Sequence, residues 1–216
     1  MIKKISTLIF VTLFSIAVAS GQSPTTAKGN IPLEKPSLSY GVVVDNSGSY
    51  RMIFETVIQS ANQIFKANNA NDEAFLVRFV DANKISLVQD FTSSKEELQS
   101  AAESMFIEGG QTAILDGVYF SAKHLAEKDA SENRRRFLIL ITDGEDRKSA
   151  TKIEEVLKFL KDEKIQVFTL GLSDGKIYKS LLERLSKETG GKSFMVEKRS
   201  EIEAIVKQLT VAVRAQ

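Results

Sequence analysis

The segment Phe137-Leu138-Ile139-Leu140-Ile141 narrows the possible folds most, because five consecutive apolar side chains leave no face for water. A strand alternates its side chains between the two faces of a sheet, so a run without alternation must be covered on both sides. Val42-Val43-Val44 and Val167-Phe168-Thr169-Leu170 repeat the pattern, and Ser193-Phe194-Met195-Val196 reads as a last, short strand. Amphipathic stretches separate these runs. Ile53, Phe54, Val57, Ile58, Ala61, Ile64 and Phe65 recur at helical spacing, as do Ile114, Leu115, Val118, Ala122 and Leu125. Ile153, Val156, Leu157 and Leu160 mark a further helix, and Tyr178, Leu181, Leu182 and Leu185 another, stopped by Gly190-Gly191. A modest helix is expected from Lys95, and a final one along Ile202, Ile205, Val206, Leu209 and Val213. Strands alternating with helices predict a doubly wound α/β fold, a mostly parallel six-stranded sheet with helices on both faces. Residues 74–80 and 85–91 are the exception. Only Asp81-Ala82-Asn83-Lys84 joins them, too short for a parallel crossover, so one edge strand is expected to be antiparallel.

Such a domain fits within 216 residues, of which 43% are hydrophobic and 26% charged, and leaves a segment over at the amino end. Met1-Ile2-Lys3-Lys4 is basic, residues 5–18 are mostly apolar, and Ala17-Val18-Ala19 offers an A-x-A cleavage site. Together they predict a secretory signal peptide over residues 1–19. Its apolar run is short for a membrane span, so no span is expected after cleavage. Cleavage removes two of the 29 basic residues and turns the net charge from +1 to −1. That balance attracts neither nucleic acid nor an anionic bilayer. Residues 20–37 are polar and rich in Ser, Thr, Gly and Pro and read as a linker, leaving 38–216 as the folded domain. With no cysteine, disulfides, thiolate metal sites and a cysteine-borne acyl anchor are excluded. The product is expected to be exported, to a periplasm or outside the cell.

The chemistry-bearing residues lie where apolar runs break. After Val44 comes Asp45-Asn46-Ser47-Gly48-Ser49, an acid and two hydroxyls at alternate positions. Alone, this stretch also fits a turn that caps the next helix. Gly109-Gly110-Gln111-Thr112 precedes the third helix, and Thr142-Asp143-Gly144 follows Ile141. Doubly wound sheets bind ligands at the carboxyl ends of their strands, where strand order reverses, so the three segments can meet there. Two carboxylates and three hydroxyls form a hard-oxygen set, better suited to Mg²⁺ or Mn²⁺ than to zinc.

Taken together, the three segments resemble the metal-ion-dependent adhesion site of von Willebrand factor type A domains. The resemblance covers the chain from about residue 38 to its end. It implies that Ser47, Ser49 and Thr112 are direct ligands of Mg²⁺ (or Mn²⁺), with Asp45 and Asp143 coordinating directly or through water. It further implies an open coordination position for the Asp or Glu carboxylate of a protein partner. The expected function is therefore that of a secreted bacterial adhesion-type module and not an enzyme. A metal-assisted hydrolase, or a scaffold subunit of an envelope complex with a structural metal, are the competing readings. No general base is placed at the same rim, and G-x-S-x-G, Walker and G-x-G-x-x-G patterns are absent. By the same resemblance, the final helix is a candidate for shifting between two positions.

The remaining polar residues are expected to be unremarkable in role. Ile114 and Gly117 depart from the family's more usual Leu and Ala, which bears on packing alone. Asp116 is expected to sit against the dipole of its own helix. Glu145 and Asp146 read as an acidic helix start or solvated loop, with tuning or extending the site as the alternative. His124, on a helical face with Gly117, Ser121 and Lys128, reads as a surface residue, and Arg134-Arg135-Arg136 as a solvated basic loop, with contact to an acidic partner as the alternative.

Overall fold

In the computed structural model, residues 36–128 and 134–215 are described, and the expected signal peptide and nearly all of the linker lie outside them. The apolar runs occupy the middle of a six-stranded sheet. Its strands are β1 (Ser37–Asp45), β2 (Glu73–Phe79), β3 (Ile85–Thr92), β4 (Arg134–Thr142), β5 (Gln166–Gly171) and β6 (Ser193–Met195). They lie in the order β3-β2-β1-β4-β5-β6. All neighbours are parallel except β2 and β3, the hairpin that the short connection requires. Five strands thus run one way and one edge strand runs against them.

Six α-helices cover the sheet: α1 (Phe54–Lys66), α2 (Lys95–Glu103), α3 (Ile114–Ala126), α4 (Ile153–Asp162), α5 (Lys179–Thr189) and α6 (Ile202–Ala215). Strand alternation divides the core in two. Val42, Val44, Ile139 and Ile141 pack with residues of α1, α2 and α6, whereas Val43, Leu138 and Leu140 pack with residues of α3, α4 and α5. Each of these fully buried side chains contributes about 1.5–3 kcal/mol. This two-sided burial is why the central strands carry no polar face.

The chain builds outward from β1 to β2 and β3, then returns to place β4 on the other side of β1. The crevice between β1 and β4 is therefore the point where strand order reverses. Val44 is in register with Ile141 across that boundary, so Asp45 and Thr142 leave the sheet side by side.

Two expectations are corrected. Arg134-Arg135-Arg136 is the opening of β4, paired with Ser37–Ser39 of β1, and not a solvated loop. The guanidinium groups find partners along the sheet's lower end: Arg134 with Glu73 at 3.2 Å, Arg135 with the Val213 carbonyl at 2.6 Å, and Arg136 with Glu163. His124 is half-buried, its ring stacked on Phe91 and edge-on to Phe75, with Nε2 2.9 Å from Asp90.

Candidate metal centre

Three loops meet at the carboxyl edge of β1 and β4, and each is bonded to the next. The first, Asp45 to Ser49, is tied to the second where Asn46 Nδ2 donates to the Phe106 carbonyl at 2.8 Å. The second is tied to the third where the Thr112 carbonyl accepts from the backbone N–H groups of Arg147 and Lys148 at 2.9 and 3.0 Å. The third closes on the first where Thr142 Oγ1 donates to Asp45 Oδ2 at 2.7 Å. The end of β2 anchors the first two loops, its Phe79 and Val80 carbonyls accepting from Asn46 N and Ala113 N. All five expected site residues are carried by this closed ring.

Within it, Ser47 N donates to Asp45 Oδ1 at 2.9 Å, so both oxygens of Asp45 are oriented. The Ser47 and Ser49 hydroxyls are 3.1 Å apart, which places the alternating donors on one side of the loop. Asp143 Oδ1 accepts from Glu145 N at 2.9 Å. Thr112 is buried, and among the described residues its hydroxyl forms no hydrogen bond. Gly110 supplies a backbone that other residues resist: its φ is +129°, and a Cβ there would lie 2.5 Å from Val80 Cγ1.

The electrostatics are one-sided. Asp45 is 0% exposed and Asp143 5% exposed, yet among the described residues neither has an ion-pair partner. Burial pushes the Asp45 carboxyl up to about 7, against the hydrogen bonds from Thr142 and Ser47 that favour its charged form. Burial likewise raises Asp143, although the Glu145 N–H and the Ser49 hydroxyl pull it back. Asn46 Oδ1, in the same loop, is also buried without a partner among the described residues. The crevice therefore holds a surplus of buried oxygen acceptors, an arrangement that costs free energy until a cation or donor offsets it. Two carboxylates and three hydroxyls fit a hard divalent ion that retains water, and do not fit a soft one. Among the described residues no group of three or more His, Cys, Asp or Glu side chains is placed to hold a metal, in this crevice or outside it, so a metal here would depend on hydroxyl and water ligands beside the two carboxylates.

The ring also depends on residues with no obvious local signal. Asp116 does not serve its own helix; its carboxylate accepts from Ala150 N and Thr151 N, each at 2.8 Å, and holds the third loop against α3. Asp146, expected in a solvated loop, accepts from Ile114 N at 2.7 Å and from Ser149 Oγ at 2.6 Å, while Ser149 Oγ accepts from Leu115 N. It is the N-terminal cap of α3, supplied across the fold, since the residue preceding that helix, Ala113, makes no side-chain cap. Glu145 pairs with Arg147. Thr142 joins Asp116, Asp146 and Ser149 in supporting the ring, because its hydroxyl fixes Asp45 from the neighbouring strand.

Comparison with known proteins agrees with this architecture. The family model of the von Willebrand factor type A domain matches residues 41–208. Among solved structures, an aerotolerance-related membrane protein from Bacteroides fragilis is similar at 18% identity and a TM-score of 0.64, covering 81% of this chain and 100% of its own. BatB from Bacteroides thetaiotaomicron is similar at 17% identity and a TM-score of 0.66, with 83% and 100% covered. Proximal thread matrix protein 1 from the mussel byssus, in a structure with a zinc-occupied MIDAS motif, is similar at 18% identity and a TM-score of 0.70. That match covers 83% of this chain and 48% of the mussel protein. Among curated proteins, none matches the chain.

Proposed function

The chain belongs to the von Willebrand factor type A family, and from that membership we propose that it is an exported protein-binding module and not an enzyme. It holds Mg²⁺ or Mn²⁺ with Asp45, Ser47, Ser49, Thr112 and Asp143, and captures an Asp or Glu carboxylate of a protein partner. The observation that carries this reading is the pair of buried carboxylates, Asp45 and Asp143, neither with an ion-pair partner among the described residues; Arg147 acts on Asp143 only from beyond salt-bridge distance and is itself paired with Glu145. A bound divalent ion supplies an electrophilic position that a partner's carboxylate can fill. The protein's own groups do the rest. Thr142 and the Ser47 N–H lock the Asp45 carboxylate, and the Glu145 N–H locks Asp143. Because the hydroxyls of Ser47, Ser49 and Thr112 are neutral, the donor set carries only two negative charges and leaves affinity for a third carboxylate. Among the described residues no helix is long and apolar enough to cross a membrane.

The test is capture of envelope proteins on the immobilised domain in Mg²⁺ and in EDTA, with Ser47→Ala alongside. A partner retained in Mg²⁺, lost in EDTA and lost on Ser47→Ala supports the proposal. Equal capture in all three contradicts it, and Mg²⁺-dependent cleavage of phosphate esters or peptides that disappears in Ser47→Ala would replace it with a hydrolase.

A further inference from the structure

Beside Asp143 the surface opens into a cleft of about 620 Å³ between the loop after β4 and the start of α5. Half-buried Ile153, Ile177 and Leu181 give it an apolar lining, and exposed Lys176, Lys179 and Arg184 give it cations. The cleft adjoins the candidate metal centre through the backbone, since Gly144, Glu145 and Asp146, which directly follow Asp143, form part of its wall. Tyr178 N donates to the Asp143 carbonyl at 2.7 Å, and a Cβ on Gly144 would lie 2.3 Å from the Tyr178 carbonyl oxygen.

The charges of the cleft are unevenly committed. Its two acids are already engaged within the protein, Glu145 by Arg147 and Asp146 by Ile114 N and Ser149. Arg184 is engaged as well, by Glu188 and Glu154. Lys176 is committed least: it acts on Glu145 only from beyond salt-bridge distance, among the described residues it has no carboxylate within that distance, and its ammonium lies 4.6 Å from the centre of the Tyr178 ring. Lys179 pairs with Glu197, whose side chain is 70% exposed, and a pair so exposed exchanges partners at little cost. A ligand that fits this lining carries negative charge next to an apolar group.

We infer that the cleft is the second half of the partner site. It takes the stretch of partner chain adjoining the carboxylate bound at the metal centre, with an apolar side chain against Ile177 and Leu181 and a second carboxylate at Lys176. This rests on the metal-dependent capture proposed above and specifies its partner as an extended segment bearing two acids around an apolar residue.

The experiment probes the purified protein with an immobilised library of short peptides that share one fixed Asp and have randomised flanks, in Mg²⁺ and in EDTA. In Mg²⁺ the wild type is expected to enrich peptides with a second acid at a constant offset from the fixed Asp and an apolar residue between them. Lys176→Glu, verified to melt as the wild type does, should weaken those peptides about fivefold and erase the preference for the second acid. Peptides bearing only the fixed Asp should bind the variant as before. If the enriched peptides show no second acid, or if Lys176→Glu changes nothing, the cleft inference falls and the metal reading stands. Enrichment that persists in EDTA and still depends on Lys176 supports the cleft and overturns the metal reading. No enrichment by the wild type in either condition overturns both.

Discussion

Asp146→Ala removes a cap that α3 receives from a loop more than thirty residues away in sequence. Two bonds are lost, from Ile114 N at 2.7 Å and from Ser149 Oγ at 2.6 Å. Loss of an N-terminal cap costs about 0.5–2 kcal/mol. A hydrogen bond to a charged acceptor contributes about 1.5–3 kcal/mol, less where water can replace the lost partner. Asp146 is half-buried, which favours the lower end of each range, so we expect a destabilisation of about 2 kcal/mol. For a domain of this size that corresponds to a fall in Tm of roughly 4–8 °C. Urea unfolding in EDTA measures the loss without a contribution from metal, and Asp146→Asn, which retains an uncharged acceptor, should recover part of it. Glu145→Ala is the neighbouring control: Glu145 pairs only at the surface with Arg147 and the Tyr178 hydroxyl, and the urea midpoint should not move. If Asp146→Ala unfolds within about 0.5 kcal/mol of the wild type, or no differently from Glu145→Ala, the cross-loop cap contributes nothing and the reasoning is refuted.

Gly144 has a φ of +85° and packs against the Tyr178 carbonyl, so Gly144→Ala should cost about 3 kcal/mol or more, read by thermal melting; a loss under 1 kcal/mol would contradict the geometry. Burial pushes the Glu73 carboxyl up, but Lys128, Ser39 and Arg134 together pull it below the usual carboxylate range. A depressed folded value means that its stabilisation is complete above the ordinary carboxylate pKa and is lost as pH falls through the folded one. The gap in urea midpoint between the wild type and Glu73→Gln should therefore be widest at neutral pH and shrink below pH ~4, and a gap independent of pH counts against the pairing. Tyr50→Phe removes the buried hydroxyl that donates to the Leu172 carbonyl at 2.7 Å, at a cost of about 1–2 kcal/mol in the same assay; a neutral substitution would show that water takes its place.

What was legible in the sequence was what local pattern carries. The unbroken run from Phe137 to Ile141 demanded cover on both faces, and the four-residue link from Asp81 to Lys84 demanded a hairpin; both appear. The three loop segments announced themselves by interrupting apolar runs at strand exits, and the return of β4 beside β1 brings them to one crevice. What stayed hidden depends on partners remote in the chain. Three consecutive arginines resist a strand reading until Glu73, Glu163 and the Val213 carbonyl are placed beside them. Helical spacing put His124 on a polar face and had no means of showing Phe91 and Phe75 from the adjoining hairpin. Asp116 and Asp146 sit at positions where an acid ordinarily serves its own helix or meets water, and each instead bonds a different segment. The acids that stabilise the ring of loops are thus the ones whose local context was least informative.

Whether the crevice holds a divalent ion is decided by calorimetric titration of the purified domain with Mg²⁺ and Mn²⁺, repeated on Asp45→Ala. Saturable binding at one site, abolished by the substitution, is expected. Binding of equal strength by Asp45→Ala, or no binding by the wild type, would contradict a metal centre at the crevice between β1 and β4.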